Sequence, residues 1–449
     1  MVATKLPPGP RARPLVGNLL DYSRNPLDFL TRSAREHGDV VRLKFPGPPA
    51  YLLSNPEHIE QVLVRNNRNF IKDRVTRGQL SILGDGLLTS DGDFWRRQRR
   101  LAQPAFHRER VENYAATMVT YTERMLEGWR DGEERDVHRD MMRLTLEIVA
   151  KTLVDADIAD EAEKIGTALG TIMAHFSDQG NGVFLRMIPD SVPTPSNLRF
   201  RRANRRLEEF IYGIIEERRQ SGRDTGDLLS MLLHARDEDG SRMSDEQLRD
   251  EVMTIIMAGH ETTAIALSWT FYLLGKHPKA EEKLYSEIKE ALNGRPPTVA
   301  DLPNLPYVDA VIKESMRLYP PAWAIGREAV EDCEIGGYHV PAGTQLFISQ
   351  WVVHHDPRNF ENSNNFDPDR WTGDLETRLP KFAYFPFGGG PRLCIGQSFA
   401  KMEANLLLTT IAQKFKLELV PGQTIQTQPS ITLCPKHGIR VTLQERYPE

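Results

Sequence analysis

Five long stretches of this chain repeat their apolar residues every three or four positions, and only a large helical body can bury that many such faces. They run from Tyr114 to Arg130, Met141 to Leu153, Arg201 to Arg219, Glu246 to Lys276 and Pro278 to Leu292. Short β-like runs are confined to the two ends: VVRLKF and AYLLS early, CEIGGYHVPAGTQLFISQWVV, FKLELVPG and GIRVTLQE late. The expected fold class is therefore mainly α with a small β region, drawn from 39–54, 333–353 and 415–445, within one domain of 449 residues. RMIPDSVPTPSNLRF (Arg186–Phe200) carries three prolines and reads as a loop between two helices.

The net charge of −5 offers no electrostatic footprint for nucleic acid. The most hydrophobic helix-like run, Ala264–Gly275, is far shorter than the ~20 residues that a bilayer requires. The opening residues lack the apolar core of a signal peptide. Cys333, Cys394 and Cys434 are odd in number, far apart and outside any CxxC pair, which suits a reducing compartment. The expectation is a cytoplasmic monomer with no membrane anchor.

One of these cysteines sits in an unusual place, FPFGGGPRLCIGQSFAKMEANLLL, between a glycine loop and an amphipathic helix. A thiol facing the first turn of a helix meets unpaired N–H groups and the positive end of the macrodipole, both of which favour thiolate. Gly388, Gly389 and Gly390 permit close approach of the backbone, Gly396 removes a side chain just past Cys394, and Arg392 supplies a cation. Zinc needs about four ligands, and none lies within motif spacing. A phosphate loop needs GK[ST], which is missing. A buried structural cysteine, a nucleophile paired with His354 or His355, and an axial thiolate for haem all remain open on these residues.

FGGGPRLCIG (Phe387–Gly396) resembles the haem-binding loop of the cytochrome P-450 family, FxxGxRxCxG, with Phe387, Gly390, Arg392, Cys394 and Gly396 all matching. Three further stretches resemble the same family. Glu314 and Arg317 match its ExxR pair, and Arg370 in FDPDRW its partner in a buried structural network. MAGHETT places Ala258, Gly259, Glu261 and Thr262 in the family's oxygen-binding groove, where the resemblance implies a local helix distortion. Trp95 and Arg99 match WxxxR, in which both side chains reach a haem propionate; Arg327, and with it Lys72, fit further propionate positions. The match extends from Leu6 to the tail.

The resemblance implies a haem b cofactor with Cys394 as axial iron ligand, and cofactor contacts from Trp95, Arg99, Ala258, Gly259, Arg327, Phe387, Gly388, Arg392 and Gly396. Glu261 and Thr262 would be the catalytic acid–alcohol pair. The pocket would be lined by Leu83, Leu87, Leu88, Phe176, Ile255, Ala258, Ala322, Ile325 and Ile431, mostly aliphatic, which suits a fatty acid or terpenoid. The implied activity is insertion of one oxygen atom of O2 into an apolar small molecule. NAD(P)H enters only indirectly, through a separate ferredoxin or flavodoxin and its reductase, because no fused reductase is expected. Arg96, Arg97, Arg100 and Lys401 offer a basic docking face. The alternatives are a peroxide-dependent or rearranging haem-thiolate enzyme, and a haem sensor without turnover.

Overall fold

A computed structural model describes residues 5–79, 81–181, 192–236, 240 and 242–446. Helices dominate, and the longest is the 32-residue Asp245–Lys276. At about 1.5 Å per residue it is roughly 48 Å long. Its start is fixed by a capping box: the Ser244 side chain accepts from the N–H of Gln247, whose own side chain returns to Ser244. Unlike a surface helix it is apolar nearly all round, and almost every residue from Leu248 to Leu274 is buried.

The helix Val137–Val154 packs along it. Gly259 permits this approach, because a Cβ there would lie 3.1 Å from Val149 Cγ2. The helices Pro306–Leu318 and Gln397–Lys414 cover other faces of the central rod. One hydrophobic cluster joins residues from Ile82 to Leu443 around it.

The largest sheet has five strands in the order Val40–Leu43, Ala50–Leu53, Gln345–Ile348, Ile325–Ala329 and Phe70–Ile71. Ala50–Leu53 and Gln345–Ile348 pair in parallel, so the two ends of the chain are united in one sheet. A hairpin of Thr427–Pro429 and Leu433–Pro435 lies against the central helix. Among the described residues no helix is long and apolar enough to cross a membrane.

Several boundaries differ from the sequence expectation. The late β run ends at Ile348, and Gln350–His354 is a helix, because Ser349 caps it by accepting from Val352 N–H. Strands at Phe70–Ile71 and Glu134–Asp136 were not foreseen; each is too short to show an alternation and exists through pairing with a distant partner. Of the proline-rich stretch, residues 186–191 lie outside the described residues. Its last part opens a helix at Pro195, capped by Thr194, with proline tolerated in the first turn.

Candidate active site

The loop before the cysteine is built by three glycines with different tasks. Gly388 and Gly390 adopt φ of +72° and +67°, a region that favours glycine. Gly389 lies so close to the Phe382 ring that a Cβ would stand 2.2 Å from it. Cys394 N–H donates to Phe387 C=O at 3.0 Å, which closes the loop, and the helix Gln397–Lys414 starts immediately beyond Gly396.

The Cys394 thiol is exposed, yet protein encloses it closely enough that burial pushes its pKa up. It therefore opens onto an internal surface. The Gly396 N–H and the Arg99 charge pull the other way and do not overcome burial. The helix terminus favours thiolate, as expected from its place in the sequence, but enclosure by protein acts more strongly in the opposite sense.

Beside the loop lies a concentration of positive charge. Arg392 donates to Ser90 C=O at 2.8 Å, pairs with Asp91 and covers the Trp95 ring at 3.9 Å. Arg99 donates to Leu393 C=O at 2.8 Å, next to the cysteine. Burial lowers the pKa of Lys72 to about 7, and that of Arg327 and Arg392 to about 10 each, and every one of the three is further lowered or offset by its charged neighbours. Lys72, Arg327 and Arg392 thus act on one another across Asp73 and Asp91, and Arg99 acts on Arg392. With Lys72 only partly protonated at neutral pH, the three arginines still outnumber the two carboxylates, a charge excess that suits an anionic ligand. Neither Asp was singled out from sequence, since nothing local marks a counter-ion.

On the central helix Ala258 is exposed, and Gly259 and Thr262 are partly so, in the middle of an otherwise buried element. The helix is continuous here rather than interrupted. Thr262 Oγ1 donates to Ala258 C=O at 2.8 Å and Thr263 Oγ1 to Gly259 C=O at 3.3 Å, a return bond that tends to bend helices. Glu261 is buried and points elsewhere: its Oε1 accepts from Thr432 Oγ1 at 2.9 Å. Burial raises its pKa to about 7.

The expected pocket residues divide into two groups. Leu88, Ala322, Ile325 and Ile431 are partly open, and Ile325 Cδ1 lies against Gly388. Leu83, Leu87, Ile255 and Phe176 are buried, and Phe176 is packed edge-on to Phe200. The segment before Leu88 is strapped to the central helix by two carboxylates that sequence reading missed: Asp250 accepts from Asp85 N–H at 2.8 Å and Glu251 from Leu87 N–H at 3.1 Å.

Glu314 and Arg317 form a bidentate pair, both contacts 2.8 Å, with neither side chain exposed. Arg370 and the Trp371 indole also donate to Glu314, at 2.9 and 2.8 Å. Arg317 reaches the carbonyls of His354, Ser363 and Asn365, and so ties three segments together. The two histidines considered as partners of a nucleophilic cysteine are committed elsewhere. His354 Nε2 accepts from Phe385 N–H at 3.1 Å, and His355 Nδ1 bonds Trp351 C=O at 2.8 Å.

A family model described as Cytochrome P450 matches residues 7–443. The chain belongs to the cytochrome P450 family. Cyclooctat-9-en-7-ol 5-monooxygenase of Streptomyces melanosporofaciens is 40% identical over 426 residues, covering 93% of this chain and 90% of its own. Pentalenene oxygenase of Streptomyces avermitilis is 36% identical over 445 residues, covering 98% and 97%. Among solved structures, the cytochrome P450DA heme domain superposes with a TM-score of 0.89 at 30% identity, covering 99% of this chain and 98% of its own.

As a cytochrome P450 it is a haem-thiolate monooxygenase, and redox partners supply electrons to such enzymes. The residues present fit that cofactor. Among the described residues no three His, Cys, Asp or Glu converge on a possible metal position. The excess of cations suits haem's carboxylates, and the open thiol of Cys394 is a donor suited to haem iron.

Proposed function

We propose that this cytochrome P450 hydroxylates or epoxidises a terpenoid-like apolar molecule, and that the Cys394 thiolate would hold the haem iron. The observation that carries the reading is an open thiol at the lip of a glycine loop, beside a buried excess of positive charge. When bound, the haem supplies dioxygen activation and delivery of one oxygen atom to the substrate. Lys72, Arg99, Arg327 and Arg392, with Trp95 stacked beneath Arg392, would hold its propionates. Thr262 Oγ1 and the Glu261 carboxyl, protonated in part at neutral pH, supply protons.

Aliphatic side chains at Leu88, Ala322, Ile325 and Ile431 support an apolar substrate, and the names of two relatives, a cyclooctat-9-en-7-ol monooxygenase and a pentalenene oxygenase, support a cyclic terpenoid over a fatty acid. The electron donor in this reading is a separate acidic ferredoxin or flavodoxin. Arg96, Arg97 and Arg100 share the Gly92–Ala102 helix that reaches the cysteine loop through Arg99, and Lys401 lies 5.8 Å from the Phe387 ring. Three unpaired cysteines suit the cytoplasm.

The deciding experiment is the spectrum of the reduced carbon-monoxide adduct, with a titration of cyclic terpenoids and fatty acids. A thiolate-type spectrum lost in Cys394→His, and a spin-state change with terpenoids, are the expected results. An imidazole-type spectrum in the unaltered protein would sink the ligand assignment. Thr262→Ala should lower product formed per reductant consumed, with peroxide released instead; a peroxide-dependent enzyme or a sensor would be indifferent to that change.

A further inference from the structure

Glu261 and Thr262 are neighbours in sequence, but successive side chains leave a helix about 100° apart. Here they go to different partners. Thr262 Oγ1 bonds Ala258 C=O, while Glu261 Oε1 accepts from Thr432 Oγ1 at 2.9 Å and from Cys434 Sγ at 3.6 Å. Thr432 and Cys434 themselves touch at 3.3 Å. Both belong to the hairpin close to the end of the chain, Thr432 in its turn and Cys434 in its second strand.

That hairpin is fixed from two sides. Trp269, on the same helix as Glu261, donates its indole N–H to Leu433 C=O at 2.8 Å. Trp323 does the same to Ser430 C=O at 2.9 Å, and Leu433 N–H donates to Pro321 C=O at 2.9 Å. The turn is thus anchored to the helix it faces and presents two donors to one carboxyl. Glu261 and Thr432 are both buried, so losing either donor costs the ionised carboxyl more than it would at the surface. The neighbouring His260 is turned away, its Nδ1 bonded to Ile256 C=O.

We propose that Thr432 and Cys434 are positioning residues for proton delivery: the hairpin turn holds the Glu261 carboxyl apart from Thr262 Oγ1, and the carboxyl must leave the turn to pass its proton. This rests on the relay reading of Glu261 and Thr262. In the transfer, the Glu261 O–H bond breaks as a proton moves to Thr262 Oγ1, the hydroxyl's own proton moves on to dioxygen that has already been reduced by electrons from the redox partner, and the carboxylate recovers a proton from solvent. The thiol stays protonated throughout, because burial and the adjacent carboxyl push the Cys434 pKa up to about 12. Thr432 and Cys434 both donate to the ionised carboxyl, so removing either disfavours that form and raises the carboxyl's pKa further.

The test uses haem-loaded full-length protein and two readouts. The first requires no turnover: the infrared C=O band of the protonated carboxyl, identified as the band lost in Glu261→Gln, is titrated with pH. The second is product formed per reductant consumed across the same pH range. Thr432→Val, which keeps the side-chain volume, should move both midpoints upward by about half a unit or more. Thr432→Ser should return them to the original values. Cys434→Ala gives the same reading if Thr432→Val does not accumulate with haem. Midpoints that coincide for Thr432→Val and the unaltered protein, while Glu261→Gln changes coupling, overturn the hairpin inference alone. If Glu261→Gln and Thr262→Ala both leave coupling unchanged, the relay reading fails and takes this inference with it.

Discussion

Gly390 has φ of +67°, and a Cβ built there meets the Leu63 carbonyl oxygen at 1.9 Å. An L-residue in that conformation costs about 1–2 kcal/mol before any clash, and a backbone carbonyl cannot rotate away as a side chain can. Gly390→Ala should therefore displace the cysteine loop and lose most bound haem, as read by the haem-to-protein absorbance ratio. Retention of full haem content would show that the loop yields without cost. A different residue-level device operates at Arg317, whose guanidinium serves Glu314 and three carbonyls with no exposure. Arg317→Ala leaves the Glu314 carboxylate with Arg370 and Trp371 and strands those carbonyls, so urea unfolding should register a loss of about 3–5 kcal/mol. The ExxR spacing also occurs at Glu127/Arg130, Glu216/Arg219 and Glu246/Arg249, so only the context around Glu314 sets this pair apart, and its depth of burial is a property of the folded chain.

At the scale of elements, Gly259 shows how two effects of one substitution compete. Glycine to alanine within a helix ordinarily gains about 1 kcal/mol. Here the new Cβ would lie 3.1 Å from Val149, a fully buried β-branched side chain with little rotamer freedom. Overpacking costs about 1–3 kcal/mol, so Gly259→Ala should destabilise on balance. In a Val149→Ala background the same change should become stabilising, and thermal unfolding of the four combinations tests the reversal. The Gln397–Lys414 helix carries another conflict. Glu403 is fully buried and makes no well-formed hydrogen bond among the described residues; burial raises its pKa to about 8 against a smaller lowering by the nearby Thr263 hydroxyl, which also donates to Gly259 C=O. The folded state therefore holds a proton there that the unfolded chain releases near pH 4.5. Stability from this group is present below that pH and is lost as pH rises through about 8. Glu403→Gln removes the dependence, so its advantage in Tm over the unaltered protein should grow between pH 5 and 8 and level off above. A constant difference across that range would show that Glu403 does not titrate as described.

For the whole molecule, the basic residues near the cysteine loop form the candidate docking face, and their effect should reach beyond their own contacts. Charge reversal at Arg97 and Arg100 should slow reduction by an acidic electron donor, the loss shrinking as salt rises, with haem content unchanged. Equal reduction rates would remove that face from consideration. What the sequence by itself determined was the helical body, from its apolar spacing, and the chemistry of the loop at Cys394, the Glu314 network and the central Gly–x–Glu–Thr–Thr run, because each of these is written in adjacent residues. Contacts between residues far apart in the chain had no such local mark. Thr432 is 171 residues from Glu261, and whether that carboxyl faces its neighbour Thr262 or a distant hairpin depends on how the helix is rotated about its axis. Packing fixes that rotation: Val149 against Gly259 on one side, Trp269 on Leu433 on another. The same holds for Asp91 beneath Arg392 and Glu251 beneath Leu87, and for the thiol itself, whose enclosure outweighs the helix terminus that the sequence placed beside it. Desolvation is a property of the assembled interior, so only the tertiary structure decided where these charges are costly and therefore where they can be used.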